Sequence, residues 1–427
     1  MHHKALIPTK SARILALALI AMSLLLAACG RDAPTPTPTP TRTVPPPPTA
    51  NQSPTASLSP TPAPATPPAP ETHHPLVLNQ QSPLTTPTSQ PQDEPTSTAT
   101  LFPTPTPTPS ATPFPPGPPS KLGLFVGRND PQLFDLLKTG NVAIVKTLEY
   151  DSNFVAEIKA ISPETLVVAR YTPLPLPDLS NWDPIAAANN YVNLLLPIAT
   201  EPRRFANIDC WEAYNEPNPT NAEQMASLAT FEAERTRLLA EAGIRSCIGN
   251  FSTGQPPLEL WPAFFPALEA AKTHDGYLAL HEYSAPYMWF GSGPHQLQAG
   301  SDEGDEGWLT LRYRKVYRHI LQPAGLDIPL VITETGVDGQ VGNRPGPKGK
   351  GWQDFAEFWR GEDQISTIAE GFYVEQLAWY DAEMDQDDYL KGAAIYALAG
   401  PQGWASFEIG GMTTEILKQY LAVHPVH

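Results

Sequence analysis

The chain has 427 residues, and its 44 acidic side chains outnumber the 27 basic ones, which gives a formal net charge of −17 at pH 7. This excess of negative charge disfavours nucleic acid or an anionic lipid surface as the binding partner, because both carry negative charge themselves. The 52 prolines are distributed unevenly and divide the chain into three parts.

The first part has the pattern of an export signal. Lys4, Lys10 and Arg13 precede an apolar run over residues 14–28. This run is too short to span a bilayer comfortably, whereas a basic start, a short apolar core and small residues at its end are typical of a secretory signal peptide. We therefore predict a signal peptide over residues 1–28 and an exported protein.

The end of this run, Leu26-Ala27-Ala28-Cys29, resembles the lipobox of bacterial lipoproteins. The resemblance implies cleavage before Cys29, lipidation of its thiol and a protein anchored at the cell surface, with the lipid as its contact with the membrane. The alternative is an ordinary signal peptide followed by an incidental cysteine.

Residues 29–120 form the second part, which is dominated by Pro, Thr, Ser and Ala. Of the 52 prolines, 29 lie between Arg31 and Ser120. Such a segment has too little apolar content to bury, so we predict a disordered linker in extended, polyproline-like conformations. It would act as a stalk between the anchor and the remainder of the chain.

The third part, residues 121–427, alternates strand-like and helix-like segments. The predicted strand and helix pairs are 122–126 with 131–139, 141–147 with 153–161, 165–170 with 184–199, 208–214 with 222–242, 244–250 with 261–273, 277–283 with 307–321, 329–333 with 372–382, and 392–399 with 413–422. Eight pairs without a glycine-rich phosphate loop after the first strand favour a closed (β/α)₈ TIM barrel of the α/β class over a doubly wound open sheet.

Cys210 and Cys247 each lie within a predicted strand. In an exported protein they can form a disulfide bond, but cysteines in a strand-rich core often behave as small buried hydrophobic side chains. Two free thiols are therefore the favoured interpretation, and a disulfide between them stays the alternative.

Two glutamates follow apolar, β-prone runs. Glu216 lies in the sequence WEAYNEP after the fourth predicted strand, and Glu334 lies in VITETG after the seventh. The carboxyl ends of barrel strands face a common mouth, so both side chains are expected in one cleft. Cleavage of a glycosidic bond requires one carboxylic acid to protonate the leaving oxygen and a second carboxylate on the opposite face of the sugar. The two motifs together therefore indicate glycosidase chemistry.

On these motifs the third part resembles glycoside hydrolase clan A, whose members carry the acid/base in an Asn-Glu pair after strand four and the nucleophile in a glutamate after strand seven. The resemblance implies that Glu216 is the acid/base and Glu334 the nucleophile. It also implies retention through a covalent glycosyl-enzyme, with the two carboxyl groups about 5–5.5 Å apart, and no cofactor.

The resemblance implies roles for further residues. Asn215 matches the residue that binds the sugar 2-hydroxyl, Tyr283 the tyrosine that hydrogen-bonds the nucleophile, and Trp404 the aromatic floor beneath the sugar. A turn-forming asparagine and a core tryptophan are the alternatives for the first and the last. His281 is expected either to line the site or to orient a neighbour. Further candidates for sugar platforms are Trp211, Tyr287 and Trp289.

One position departs from the clan. Many members carry an arginine at the end of strand two, where this chain has Lys146. Either Arg170, at the end of strand three, or Lys146 itself is expected to take the place of that arginine.

Motifs for other chemistries are missing from the sequence. No Gly-x-Ser-x-Gly, His-Glu-x-x-His or paired Cys-x-x-Cys motif occurs, so no nucleophile elbow and no metal site are predicted. The motifs and the resemblance together predict a monomeric, cell-surface retaining glycoside hydrolase acting on β-linked polysaccharide. A non-catalytic carbohydrate-binding barrel and a transglycosylase that remodels the cell wall are the alternatives.

Overall fold

The structure is a computed structural model that describes residues 114–342, 344–362 and 368–425. The predicted signal peptide, the predicted lipidation site Cys29 and most of the predicted linker lie outside these residues. Within the described ranges, no helix is both long enough and apolar enough to cross a membrane.

The described residues contain a sheet of eight parallel strands. They are β1 (Leu122–Val126), β2 (Ile144–Thr147), β3 (Leu166–Arg170), β4 (Cys210–Glu212), β5 (Cys247–Phe251), β6 (Tyr277–Ser284), β7 (Leu330–Val337) and β8 (Leu390–Leu398). Their hydrogen-bonded order is β4-β3-β2-β1-β8-β7-β6-β5. A parallel bridge between Trp211 and Ser246 joins the two ends of this order, and Trp211 N–H donates to the Arg245 carbonyl at 3.1 Å. The sheet therefore closes into a barrel, which confirms the predicted fold class.

Helices follow the strands and pack around them. The α-helices are α1 (Pro131–Leu137), α2 (Ser152–Ile161), α3 (Pro184–Ala199), α4 (Pro202–Asn207), α5 (Ala222–Glu241), α6 (Phe265–Thr273), α7 (Arg312–Val316), α8 (Ala356–Glu362), α9 (Ala369–Met384) and α10 (Met412–Ala422). Shorter 3₁₀ segments cover Leu258–Phe264, Trp352–Phe355 and Ala405–Phe407, and a π-helical turn covers Tyr317–Leu321.

Buried side chains alternate between two hydrophobic clusters along each strand. Phe125 belongs to a cluster inside the barrel, whereas its neighbours Leu124 and Val126 belong to the larger cluster between strands and helices. Val168 of β3 likewise points inward, and Val167 points outward. Both faces of each strand are thus buried, which explains why the strands read as continuous apolar runs.

Local signals set several helix boundaries. The predicted start of α3 is confirmed, because the Asp183 carboxylate accepts hydrogen bonds from the N–H groups of Ile185 and Ala186, both at 3.0 Å, and Pro184 occupies the first turn. The helix predicted over residues 307–321 begins only at Arg312, because Leu311 before it has a left-handed backbone with φ of 59°.

Two other predictions of elements need correction. β7 continues to Val337, so Glu334 lies within the strand rather than after it. The short helices α4 and α8 were not predicted, because six and seven residues are too few to show a helical period.

The expectation that Cys210 and Cys247 are free thiols is wrong, because the two residues form a disulfide bond. Closure of the barrel sets β4 beside β5, and both side chains belong to the inner cluster. Their Cα atoms lie 5.8 Å apart, which is a distance that a disulfide spans. The sequence separation of 37 residues carries no information about this contact.

Candidate active site

Glu216 lies in the loop that follows β4, at the carboxyl end of the barrel. Its side chain is 37% exposed, and its Oε1 lies 2.9 Å from Nδ1 of His281. His281 lies on β6, so a residue from another strand orients this carboxyl group. The preceding residue, Asn215, is exposed and accepts a hydrogen bond from the guanidinium of Arg170.

Glu334 lies on β7 and is almost completely buried. Arg170 donates to its Oε1 at 3.0 Å, and the hydroxyl of Tyr283 donates to its Oε2 at 3.0 Å. Burial, together with the negative charge of Glu334, raises the pKa of Tyr283 well above its ordinary value. The phenol is therefore protonated near neutral pH and acts as a donor to Glu334.

These contacts favour the ionised form of Glu334. Burial by itself would raise the pKa of this carboxyl group. His281, Arg170 and Lys146 act in the opposite direction through their charges, as does the hydrogen bond from Tyr283, and the net result is that the pKa of Glu334 is lowered. An ionised carboxylate at this position is able to act as a nucleophile.

Glu216, His281 and Glu334 converge on one point. Each offers an oxygen or nitrogen atom that lies within 4.8 Å of the others. A divalent cation can be coordinated by two carboxylates and a histidine, but Arg170 and Tyr283 already donate hydrogen bonds to both oxygens of Glu334. The positive guanidinium would repel a cation at the same carboxylate. The arrangement therefore suits a pair of carboxyl groups better than a metal ion.

Arg170 and Lys146 differ in their contacts. Arg170 forms an ion pair with Glu334 and a hydrogen bond with Asn215. Lys146 instead forms an ion pair with Glu212, and both side chains of that pair are fully buried inside the barrel. Arg170 thus contacts Glu334 directly, whereas Lys146 acts on Glu334 through its charge.

A cavity of about 250 Å³ surrounds the two glutamates. Its lining residues are Phe125, Arg170, Asn215, Glu216, Tyr283, Glu334, Asp338, Gln340, Tyr396, Pro401, Trp404 and Phe407. Trp404 is half-buried, with Lys350 Nζ lying 5.4 Å from the centre of its ring. An aromatic ring at the wall of this cavity can stack on the apolar face of a sugar. His281, in contrast, contacts both carboxyl groups from behind the cavity wall.

Asp338 is a residue of this cavity that the sequence reasoning missed. It follows the last residue of β7, so its position at the mouth of the barrel was the available signal. Burial, together with the negative charge of Glu216, raises the pKa of Asp338, although hydrogen bonds from Gln340 act against that shift. The cavity therefore contains a third carboxyl group, whose charge interacts with that of Glu216.

The prediction of Trp211 as a sugar platform is wrong. Its side chain is 1% exposed and packs in the outer hydrophobic cluster, with its ring edge-on to Tyr150. A tryptophan that lies between the strands and the helices has no face available for a ligand.

No protein-family model and no curated protein matches the chain. Among solved structures, the chain is similar to a β-D-glucuronidase from Dictyoglomus thermophilum, with 12% identity and a TM-score of 0.41 over 72% of this chain and 51% of that one. It is also similar to an endo-β-1,3-glucanase from Pseudomonas viridiflava, with 13% identity and a TM-score of 0.39 over 72% of this chain and 98% of that one.

A third similar structure is an active-site mutant of a β-1,3-glucanosyltransferase from Rhizomucor miehei in complex with laminaritriose. It has 14% identity and a TM-score of 0.40 over 68% of this chain and 94% of that one. The chain spans about half the length of the glucuronidase. At these identities and TM-scores the similarities carry no argument about activity.

Proposed function

We propose that this protein is a retaining glycoside hydrolase of the clan that its motifs resemble, and that it cleaves β-linked polysaccharide. The observation that carries the proposal is the pair formed by Glu216 and Glu334, whose oxygen atoms approach within 4.8 Å in one cavity. This approach favours the separation of about 5–5.5 Å found in retaining enzymes over the 6.5–9.5 Å that leaves room for a water in inverting ones.

In this mechanism Glu334 attacks the anomeric carbon of the sugar while Glu216 donates a proton to the departing oxygen. The resulting glycosyl-enzyme is then hydrolysed by a water that Glu216, now a base, deprotonates. Arg170 and Tyr283 hold Glu334 ionised and orient it before the attack. No cofactor takes part in these steps.

The remaining cavity residues would bind the sugar. Asn215 is held by Arg170 beside Glu334, where its amide is available to the 2-hydroxyl of the sugar. Trp404 would form the floor on which the sugar stacks. His281 would orient Glu216, because its Nδ1 contacts that carboxyl group at 2.9 Å.

The location of the enzyme is part of the same proposal. Cleavage before Cys29 and lipidation of its thiol would anchor the protein, and residues 29–120 would carry the barrel away from the membrane as a stalk. A tethered catalyst suits polysaccharides, which are too large to enter the cell. We propose that the anchored enzyme is a monomer.

Release of reducing ends tests this function. The full-length protein would be incubated with β-1,3-glucan, β-1,4-glucan, xylan, mannan and galactan, beside a Glu334→Gln variant and a control Glu157→Gln on the exposed face of α2. We expect activity on one glycan, unchanged in the control and reduced by roughly a thousandfold or more in Glu334→Gln, because the covalent intermediate cannot form.

The alternatives would give different results. A transglycosylase would produce longer oligosaccharides from the same substrate, because an acceptor sugar would replace water. Binding of a glycan by a folded protein that releases no reducing ends would contradict the proposal and favour a carbohydrate-binding barrel.

A further inference from the structure

The backbone at Glu216 adopts an unusual conformation. Its φ of 45° lies in the left-handed region, which residues other than glycine rarely enter. Glu216 also precedes Pro217, and the residue before a proline is normally extended. A conformation that is unfavourable on both grounds persists only when the surrounding structure holds it in place.

Asn250 of β5 supplies the contacts that hold this loop. The N–H group of Glu216 donates to the backbone carbonyl of Asn250 at 3.1 Å, and Nδ2 of Asn250 donates to the carbonyl of Tyr214 at 3.1 Å. The two hydrogen bonds reach the residues on either side of Asn215. One residue therefore fixes the backbone of both Asn215 and Glu216.

A β-bulge places Asn250 in position for these contacts. The register of β5 against β6 passes from Gly249 opposite Ala279 to Phe251 opposite Leu280, which leaves Asn250 as the extra residue. Bulges re-aim groups near active sites. Asn250 has φ of 51°, and asparagine tolerates this left-handed conformation better than most residues do.

The side-chain amide of Asn250 is buried and, within the described part of the chain, forms a hydrogen bond through its N–H group only. Its side chain is completely inaccessible, and Oδ1 has no hydrogen-bond partner among the described residues, whereas Nδ2 reaches Tyr214. The carboxyl end of the Glu216 side chain is held separately by His281. Glu216 is thus fixed at its backbone by β5 and at its tip by β6.

We propose that Asn250 is a positioning residue that sets the acid/base Glu216 in place for proton transfer. The inference rests on the proposed function. Glu216 must deliver its proton to the glycosidic oxygen as the bond to the anomeric carbon breaks, and a displacement of about 1 Å would make that transfer slow. Glu334 is held directly by Arg170 and Tyr283, and Asn250 reaches it only indirectly, through Asn215 and Arg170.

The leaving group of the substrate provides a selective readout. The phenolate of a phenyl glycoside needs a proton as it departs, whereas a 2,4-dinitrophenyl glycoside releases 2,4-dinitrophenolate, which is stable as an anion. For Asn250→Ala in the full-length protein, we expect kcat/KM on the phenyl glycoside to fall about 10- to 100-fold. On the dinitrophenyl glycoside of the same sugar, kcat/KM should fall by a clearly smaller factor, because formation of the glycosyl-enzyme no longer needs the acid and only a displacement of Asn215 would still be felt.

Two further variants serve as comparisons. One distinguishes the effect of the Asn250 backbone conformation from that of its side chain, and the other controls for general destabilisation. Asn250→Gly keeps access to the left-handed conformation but removes the amide, so its loss should be smaller than that of Asn250→Ala. Asn141→Ala removes another buried amide, which donates to the Leu421 carbonyl at 2.6 Å on the segment before β2. This control should reduce kcat/KM on both substrates by the same factor or on neither.

An equal loss on both glycosides in the Asn250 variants, or no loss, would overturn the proposal. If Asn250→Ala does not fold, Asn250→Gly supplies the comparison. If the wild-type protein cleaves no glycoside at all, the proposed function fails, and the carboxyl ¹³C titration of Glu216 then tests the positioning by itself. A titration that changes in Asn250→Gly and not in Asn141→Ala supports the positioning, and an unchanged titration contradicts it.

Discussion

The ionisation of Glu334 depends on a few individual side chains. Each of its oxygens has one donor, Arg170 for Oε1 and Tyr283 for Oε2. Burial works against the ionised form, so the lowered pKa of Glu334 is the sum of contacts that can be removed one at a time. Tyr283 is the better residue to substitute in a test of these contacts, because Arg170 also donates a hydrogen bond to Asn215 and its loss would affect both residues.

We predict that Tyr283→Phe raises the pKa of Glu334, since the hydroxyl stabilises only the ionised carboxylate. Activity requires that form and is lost as the pH falls through the pKa. The acidic limb of the profile of kcat/KM against pH should therefore move to higher pH in the variant. At the optimum, kcat/KM should fall by about 10- to 100-fold, which corresponds to one hydrogen bond to a charged group of about 1.5–3 kcal/mol.

The matched control is Tyr277→Phe, at the other end of the same strand β6. Its hydroxyl accepts from Arg245 and lies far from the carboxyl ends of the strands. The control should keep the wild-type pH profile. An acidic limb that stays in place in Tyr283→Phe would mean that Tyr283 does not set the ionisation of Glu334.

At the scale of elements, the barrel interior contains an ion pair that links two strands. Lys146 of β2 and Glu212 of β4 meet inside the barrel, and both side chains are fully buried. Burial lowers the pKa of Lys146 well below its ordinary value, and the nearby charge of Arg170 acts in the same direction. The second carboxylate oxygen of Glu212 has no partner among the described groups.

Substitution of one member of this ion pair should lower the free energy of unfolding more than substitution of both members. We predict that Lys146→Met lowers the free energy of unfolding by about 3–5 kcal/mol, because it leaves the charge of Glu212 buried and unpaired. The double variant Lys146→Met, Glu212→Met should recover most of that loss, since no charge then remains to be buried.

Urea unfolding of wild type, both single variants and the double variant measures this coupling. A double variant as unstable as Lys146→Met would show that the pair contributes through packing rather than through charge. A single variant whose free energy of unfolding lies within about 1 kcal/mol of wild type would contradict the burial of the pair, because solvent-exposed ion pairs contribute little to stability.

At the scale of the whole molecule, residues 121–427 include 40 of the 44 acidic residues and 22 of the 27 basic ones, so the barrel region has a formal charge of −18. This region would be repelled by an anionic membrane surface. Attachment to a membrane would therefore depend on the lipid at Cys29, with the linker separating the barrel from the surface.

We predict that Cys29→Ser releases the protein from the membrane without loss of glycosidase activity, because the anchor and the active site are in different parts of the chain. Cell fractionation and labelling with an alkyne fatty acid would measure the change. A protein that remains membrane-bound as Cys29→Ser, or a wild-type protein without label, would contradict the predicted lipidation. A single myristoyl-type chain gives only marginal binding, so we expect more than one acyl chain on the wild-type protein.

The alternation of apolar runs and helical segments was enough to predict the barrel, because each strand is buried on both faces and the longer helices bury apolar side chains. The motifs around Glu216 and Glu334 also placed both glutamates in one cleft, since the carboxyl ends of parallel strands share one mouth. Their catalytic roles stay predictions. These inferences needed only short stretches of sequence and the general geometry of the fold.

Contacts between distant segments could not be predicted in the same way. The disulfide between Cys210 and Cys247 and the ion pair of Arg170 with Glu334 both depend on which strands become neighbours and on their register. The contact of Asn250 with the Glu216 loop depends further on a one-residue bulge in β5. The sequence by itself determined the periodicity and hence the elements and the mouth of the barrel. Only the tertiary structure decided the pairing of side chains across it, because a shift of one residue turns a strand's side chains to the opposite face.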